Sequence, residues 1–176
     1  MIASGKSTLA TAWARKLGID SFNSDVLRKK LAGLAPSHRG TEKFETGIYT
    51  TAFSRKTYDA LLAAAEESLR SCRSVILDAS YGKKEERDRV RHLAASLGVP
   101  VRFILCRCPE EETRRRLAMR AGDPEAVSDG RWEIFLHQKE TFEPPIELSA
   151  DELIAIDTSE ELQVLVKRLE LLSNFG

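Results

Sequence analysis

The 176-residue chain has no apolar run approaching the roughly 20 residues of a membrane-spanning helix, so no helical span and no membrane partner are predicted. Charge of one sign is also lacking, since 27 Lys and Arg balance 27 Asp and Glu. No global field is left to draw in DNA or RNA, and any basic footprint must be local. Cysteine is scarce: Cys72, Cys106 and Cys108 are odd in number and lack CxxC spacing. Reduced thiols and a cytoplasmic location follow as the expectation. The three histidines, His38, His92 and His137, do not supply metal-ligand spacing. Internal repeats and low-complexity linkers are missing, and Lys6 and Ser7 interrupt the only stretch that could serve as a signal peptide. What remains is 42% hydrophobic and 31% charged, the composition of one globular domain with a proper core.

One further absence carries the most information. The chain opens MIASGKSTLATAWARKLG, in which Gly5-Lys6-Ser7-Thr8 is the second half of a phosphate-binding loop, G-x-x-x-x-G-K-S/T. The first glycine would fall one place before Met1, and no residues are left for the buried strand that should lead into such a loop. The expectation is a domain spanning 1–176 whose first strand is truncated. Losing a central strand would leave unpaired backbone on both of its neighbours.

The rest alternates strands and helices. Leu9, Trp13 and Leu17 recur every fourth residue on a helix from about Ser7 to Leu17, with Gly18 as its stop. A short strand at 21–25 and a helix from Asp25 to Leu31 follow, then a mostly loop stretch at 33–47. Further helices are predicted over 54–70, 83–97, 109–120 and 129–141, with a last one carrying Leu162, Leu165, Val166, Leu169 and Leu172. In the 83–97 helix the segment KKEERDR is assigned to the polar face. Compact apolar runs at VILD (75–78), VRFIL (101–105) and LIAID (153–157) read as buried strands. This order predicts an α/β fold, a parallel sheet covered by helices on both faces.

A GK(S/T) triplet carries little weight alone, because about one chain in ten of this size holds it by accident. Its context strengthens it. The triplet opens an amphipathic helix, so backbone N–H groups and the helix dipole converge on an anion. Ala3 to Thr8 are therefore assigned to nucleotide phosphates, with Lys6 reaching the β- and γ-phosphates and Ser7 ligating Mg²⁺. Asp25, at the carboxyl end of the next strand, faces the same crevice and can take the proton of an attacking hydroxyl. A competing job for it is the helix N-cap, which Ser24 could take over. Arg28, one turn on, can hold an anionic or hydroxylated substrate. Asp78, ending VILD, can organise Mg²⁺ or orient the substrate. Arg116 and Arg120 share a helix face and fit phosphate bidentately. A segment carrying them, about 109–128, can act as a lid.

The order GKST, FNSDVLRKKL, VILDAS, RRRLAMR, IDTS resembles the P-loop kinases that include polynucleotide 5′-hydroxyl kinases, zeta toxins and gluconate-kinase-like enzymes. It is most similar to small bacterial kinases grouped with AAA-type ATPases, often fused behind an aminoglycoside-phosphotransferase-like domain. The resemblance implies a three-layer P-loop fold and an ATP- and Mg²⁺-dependent kinase. It makes Asp25 the general base and Arg28 the substrate-contacting arginine. Arg116 and Arg120 fall on the lid, and Asp157 and Thr158 near the adenine. It also implies a substrate-covering segment at about 34–58, with Arg39 and Tyr49 as candidate contacts. Gluconate is disfavoured because the motif after the second strand differs. A small-molecule hydroxyl is the expected acceptor. Polynucleotide 5′-hydroxyl phosphorylation is the alternative, set back by the neutral charge. A regulatory ATP-binding module without phosphotransfer is the reading from another class.

Overall fold

The computed structural model describes residues 1–35, 47–121 and 132–172, the side chains of 120 and 121 excepted. Helix α1 (Lys6–Leu17) ends where Gly18, at φ 66°, returns its N–H to Ala14 O. Strand β1 (Asp20–Asn23) leads into α2 (Ser24–Leu31). A single 3-10 turn at Gly47–Tyr49 precedes α3 (Thr51–Arg70), then β2 (Val75–Asp78) and α4 (Lys84–Leu97). The chain continues through β3 (Phe103–Arg107), α5 (Glu110–Ala121), α6 (Trp132–Thr141), β4 (Leu153–Asp157) and α7 (Leu162–Leu172). The expected α/β alternation is present, with all described strand pairs parallel.

The strands form two separate pairs, β1 with β2 and β3 with β4. Asp20 to Asn23 stand opposite Val75 to Asp78, and Phe103 to Arg107 opposite Leu153 to Asp157. Among the described residues these two parallel pairs are not joined by hydrogen bonds into one sheet. Packing is likewise divided. Leu9, Ile156, Leu165 and Leu169 join α1 to α7 and β4. Tyr58, Leu61 and Ala79 join α3 to the end of β2, and Ile2, Ala3, Leu117 and Phe135 join the amino-terminal residues to α5 and α6. Leu61 and Leu169 are fully buried, each worth about 1.5–3 kcal/mol of apolar transfer.

Several boundaries differ from the sequence reading for identifiable reasons. β3 starts at Phe103 rather than 101, because its register is set by β4 and begins with the Phe103 N–H donating to Glu152 O. α3 starts at Thr51 because the Thr50 hydroxyl caps it, accepting from Phe53 N at 3.3 Å. Within KKEERDR, Arg87 is not on a solvated face but 3% exposed. It is paired with Glu147 at 2.5 Å and donates to Tyr81 O at 3.0 Å. Residues 36–46, most of the stretch expected as loop at 33–47, and residues 129–131 of the predicted 129–141 helix lie outside the described residues.

Candidate phosphate-transfer site

α1 begins without a side-chain cap and without an acidic residue in its first turn. The orphan N–H groups of that turn and the positive end of the helix dipole are therefore left for an external anion. Gly5 makes the approach feasible. Its φ is 77°, and a Cβ there would stand 3.0 Å from both Arg116 Nη1 and Thr158 Cβ. The residues before it are fixed as well. Ala3 takes φ 52°, Ser4 Oγ donates to Met1 O at 2.8 Å, and Ile2 N–H donates to Gln138 Oε1 at 2.7 Å. Thr158, 5% exposed, sets its hydroxyl 2.7 Å from Ser4 O and 2.9 Å from Arg107 O. Thr158 thereby ties the residues before Gly5 to the end of β3, while it also borders the pocket beside Gly5. Asp157 is exposed and accepts from the N–H and hydroxyl of Ser159, which hold its carboxyl below its usual range.

At the carboxyl ends of β1 and β2 the predicted acids meet through a residue that the sequence reading passed over. Asn23 caps α2, its Oδ1 accepting from Asp25 N at 2.9 Å and Val26 N at 3.0 Å. Neither Asp25 nor Ser24 is the cap. The Nδ2 of Asn23 donates to Asp78 Oδ2 at 2.5 Å and lies 3.4 Å from Ser7 Oγ. One amide thereby joins the phosphate-loop serine, the strand-end acid and the backbone of Asp25. The signal was present, since Asn directly before a helical run is a preferred N-cap.

With Asn23 as the cap, the Asp25 carboxyl is not committed to the first N–H groups of α2. Burial pushes its carboxyl above the ordinary range, and Asp78 adds to the rise, while Lys6, Arg28 and Lys29 oppose it. Asp78 is 5% exposed, and its Oδ1 has no hydrogen-bond partner among the described residues. A buried carboxylate oxygen left bare is costly, and a cation or a donor at that point would relieve it. Ser7 Oγ and Asp78 are hard oxygen donors of the kind Mg²⁺ takes, alongside waters and phosphates. Among the described residues no group of three His, Cys, Asp or Glu could cage a metal alone. Lys6 makes no hydrogen bond or ion pair with a described residue, consistent with a charge kept for phosphate.

The arginines are more committed. Arg28 is 7% exposed, donates to Ile48 O at 2.8 Å and Ser54 Oγ at 3.1 Å, and lies 5.1 Å from the centre of the Tyr49 ring. It fastens the 47–54 segment to α2, and Tyr49 is drawn in with it. Arg116 donates Nε to Glu112 Oε1 and Nη2 to Thr158 O, each at 2.7 Å. It borders a pocket of about 320 Å³ with Gly5, Thr8, Leu9, Thr158, Glu160, Leu162 and Leu165. Glu112 was visible in the sequence as the i−4 partner of Arg116. Arg39 and the side chain of Arg120 lie outside the described residues.

The AAA domain family model matches residues 1–145. The chain belongs to that family. A curated relative, an uncharacterized protein of Mycobacterium tuberculosis, is 31% identical over 120 residues, covering 67% of this chain and 24% of its own. The chain thus spans about a quarter of the length of the curated relatives it matches. Its fold is that of the P-loop kinases. A sugar kinase from Janibacter sp. superposes over 100% of this chain and 91% of its own, with a TM-score of 0.69 and 22% identity. Mycobacterium tuberculosis APS kinase in complex with AMPPNP and APS covers 98% of this chain and 92% of its own, with a TM-score of 0.64 and 20% identity. Among the described residues no helix is long and apolar enough to cross a membrane.

Proposed function

We propose that this protein is an ATP- and Mg²⁺-dependent kinase that transfers the γ-phosphate to a hydroxyl of a small molecule or nucleotide. The observation that carries the reading is the Asn23 junction, which gathers Ser7, Asp78 and the backbone of Asp25 beside an uncapped helix terminus. A bare anion site would need only the helix end. A raised carboxyl beside it supplies a proton acceptor as well.

In this reading the N–H groups of α1 and Lys6 hold the phosphates, and the acceptor hydroxyl lies against Asp25. The hydroxyl oxygen attacks the γ-phosphorus, the bond to the bridging oxygen breaks, and the hydroxyl proton passes to Asp25. Ser7 and Asp78 would hold Mg²⁺, which neutralises charge on the phosphate oxygens. Arg116 edges the nucleotide pocket and can turn to phosphate only by releasing Glu112. Arg28 positions the 47–54 segment rather than touching substrate. A cytoplasmic setting and an attached phosphotransferase-like domain belong to the same proposal.

The test is ATP-dependent phosphorylation of a panel of sugars, aminoglycosides, nucleosides and 5′-hydroxyl oligonucleotides. Asp25→Asn should abolish transfer while calorimetric ATP·Mg²⁺ binding persists, and Lys6→Ala should abolish both. Binding without acceptor-dependent turnover, unchanged in Asp25→Asn, would instead favour the regulatory module.

A further inference from the structure

Three N–H groups converge on one carboxylate of α5. Arg115 donates Nε to Glu112 Oε2 and Nη2 to Glu112 Oε1, and Arg116 donates Nε to Glu112 Oε1, each at 2.7 Å. The spacings are i,i+3 and i,i+4, so a single helical turn gathers the three side chains. The two guanidinium groups, Arg115 first, hold the Glu112 carboxyl down at about 2. Neither Glu112 nor Arg115 lines the pocket beside Gly5, whereas Arg116 does.

The two arginines share Glu112 unequally. Arg115 forks onto both oxygens and sets its Nη1 3.2 Å from Met119 Sδ. Arg116 commits only its Nε to Glu112. Its Nη2 donates to Thr158 O, and a Cβ on Gly5 would stand 3.0 Å from its Nη1, so the guanidinium already lies against the loop that opens α1. A phosphate takes the same N–H groups that a carboxylate takes. Glu112 and a phosphate at the start of α1 therefore compete for Arg116. When Arg116 leaves, Glu112 loses one bond of three and keeps a donor on each oxygen. Without Arg115 it would lose its last partner among the described residues, and Arg116 would be held more tightly.

We propose that Glu112 and Arg115 are positioning residues that set the availability of Arg116. Glu112 holds Arg116 at the pocket edge until a phosphate competes for it, and Arg115 keeps the Glu112 charge partnered once Arg116 has turned. The inference rests on the kinase reading in one respect, that the pocket and the Gly5 loop hold ATP. Its signature is a pair of opposite effects from two residues that do not line the pocket. Removing the carboxylate frees Arg116 and tightens nucleotide binding. Removing Arg115 leaves Glu112 to Arg116 alone and weakens it. Exposed ion pairs of this kind translate into shifts of roughly two- to five-fold in Kd.

The experiment is calorimetric titration of the whole chain and its variants with ATP·Mg²⁺. Glu112→Gln should lower Kd roughly two- to five-fold, Arg115→Ala should raise it by a similar factor, and Arg115→Lys, which keeps a cation for Glu112, should return it toward the native value. Both shifts should vanish in an Arg116→Ala background, because both act through that side chain. Arg115→Gln takes the place of Arg115→Ala if the latter does not fold. Shifts of the same sign, or none, overturn the proposal, since a pair that merely supports the helix would weaken binding in both variants or in neither. Opposite shifts that persist in the Arg116→Ala background also overturn it, because they would come from the summed field of the charges. A native chain that binds no ATP·Mg²⁺ removes the nucleotide reading of the pocket and this inference with it, whereas binding without the opposite shifts removes this inference alone.

Discussion

Replacing Asn23 by alanine removes two interactions that can be separated. The first is the α2 cap, two N–H groups accepted by Oδ1 at 2.9 and 3.0 Å, worth about 0.5–2 kcal/mol. The second is the Nδ2 bond to Asp78 Oδ2, whose loss leaves a buried carboxylate bare on both oxygens at about 1–3 kcal/mol. Together they predict a loss of roughly 3 kcal/mol, or about 6–12 °C in Tm for a chain of this size. Asn23→Ser keeps a capping oxygen but cannot reach Asp78, so it should recover only the cap share. Urea denaturation of the Asn23→Ala, Asp78→Ala and double variants forms the cycle. A coupling of about 1–3 kcal/mol is expected between the two sites. Additive losses, or full recovery by Asn23→Ser, would show that the amide serves the helix alone and that the junction has no energetic reality.

Gly5→Ala should cost more than backbone strain alone, since about 1–2 kcal/mol for the left-handed conformation adds to contacts of 3.0 Å with Arg116 and Thr158. Thermal melting and ATP calorimetry should both show the loss, and a neutral variant would mean that Arg116 simply moves aside. Removing one partner of the Arg87–Glu147 pair, 3% and 11% exposed, should cost about 3–5 kcal/mol. The joint change to Met and Leu should recover most of it, and no recovery would point to a role for the charges themselves. The raised Asp25 carboxyl favours the folded state below its unfolded value near 4, and this contribution is lost as pH rises through the folded value. Asp25→Asn should therefore gain stability over the native chain as pH climbs through that window. A urea-midpoint difference that is flat with pH would remove the burial argument.

The strands at 75–78 and 153–157 could be read from apolar runs because each carries no polar interruption before the acid that ends it. β3 could not be placed to the residue, since its start depends on a partner 50 positions away. Lys6, Ser7, Asp25 and Asp78 could be singled out because they stand at helix starts and strand ends, where the proposed phosphate chemistry would use those residue types. Asn23 was hidden inside a short strand, where its amide looked like filler. Arg87 was hidden by its charge, because a sequence pattern cannot show that Glu147 waits for it. Arg28 was read as a substrate contact, and its bond to the Ile48 carbonyl, 20 residues on, could not be seen in the sequence.

The hydrogen bond from the Thr158 hydroxyl to Ser4 O spans 154 positions of a 176-residue chain. During synthesis at about 5–20 residues per second, the first loop emerges and then waits roughly 8–30 s for the side chain that closes it. The loop is thus closed only after most of the residues that follow it have been made. Under the proposed function, nucleotide affinity acquired during translation would record the arrival of Thr158, not the emergence of the Gly5 loop.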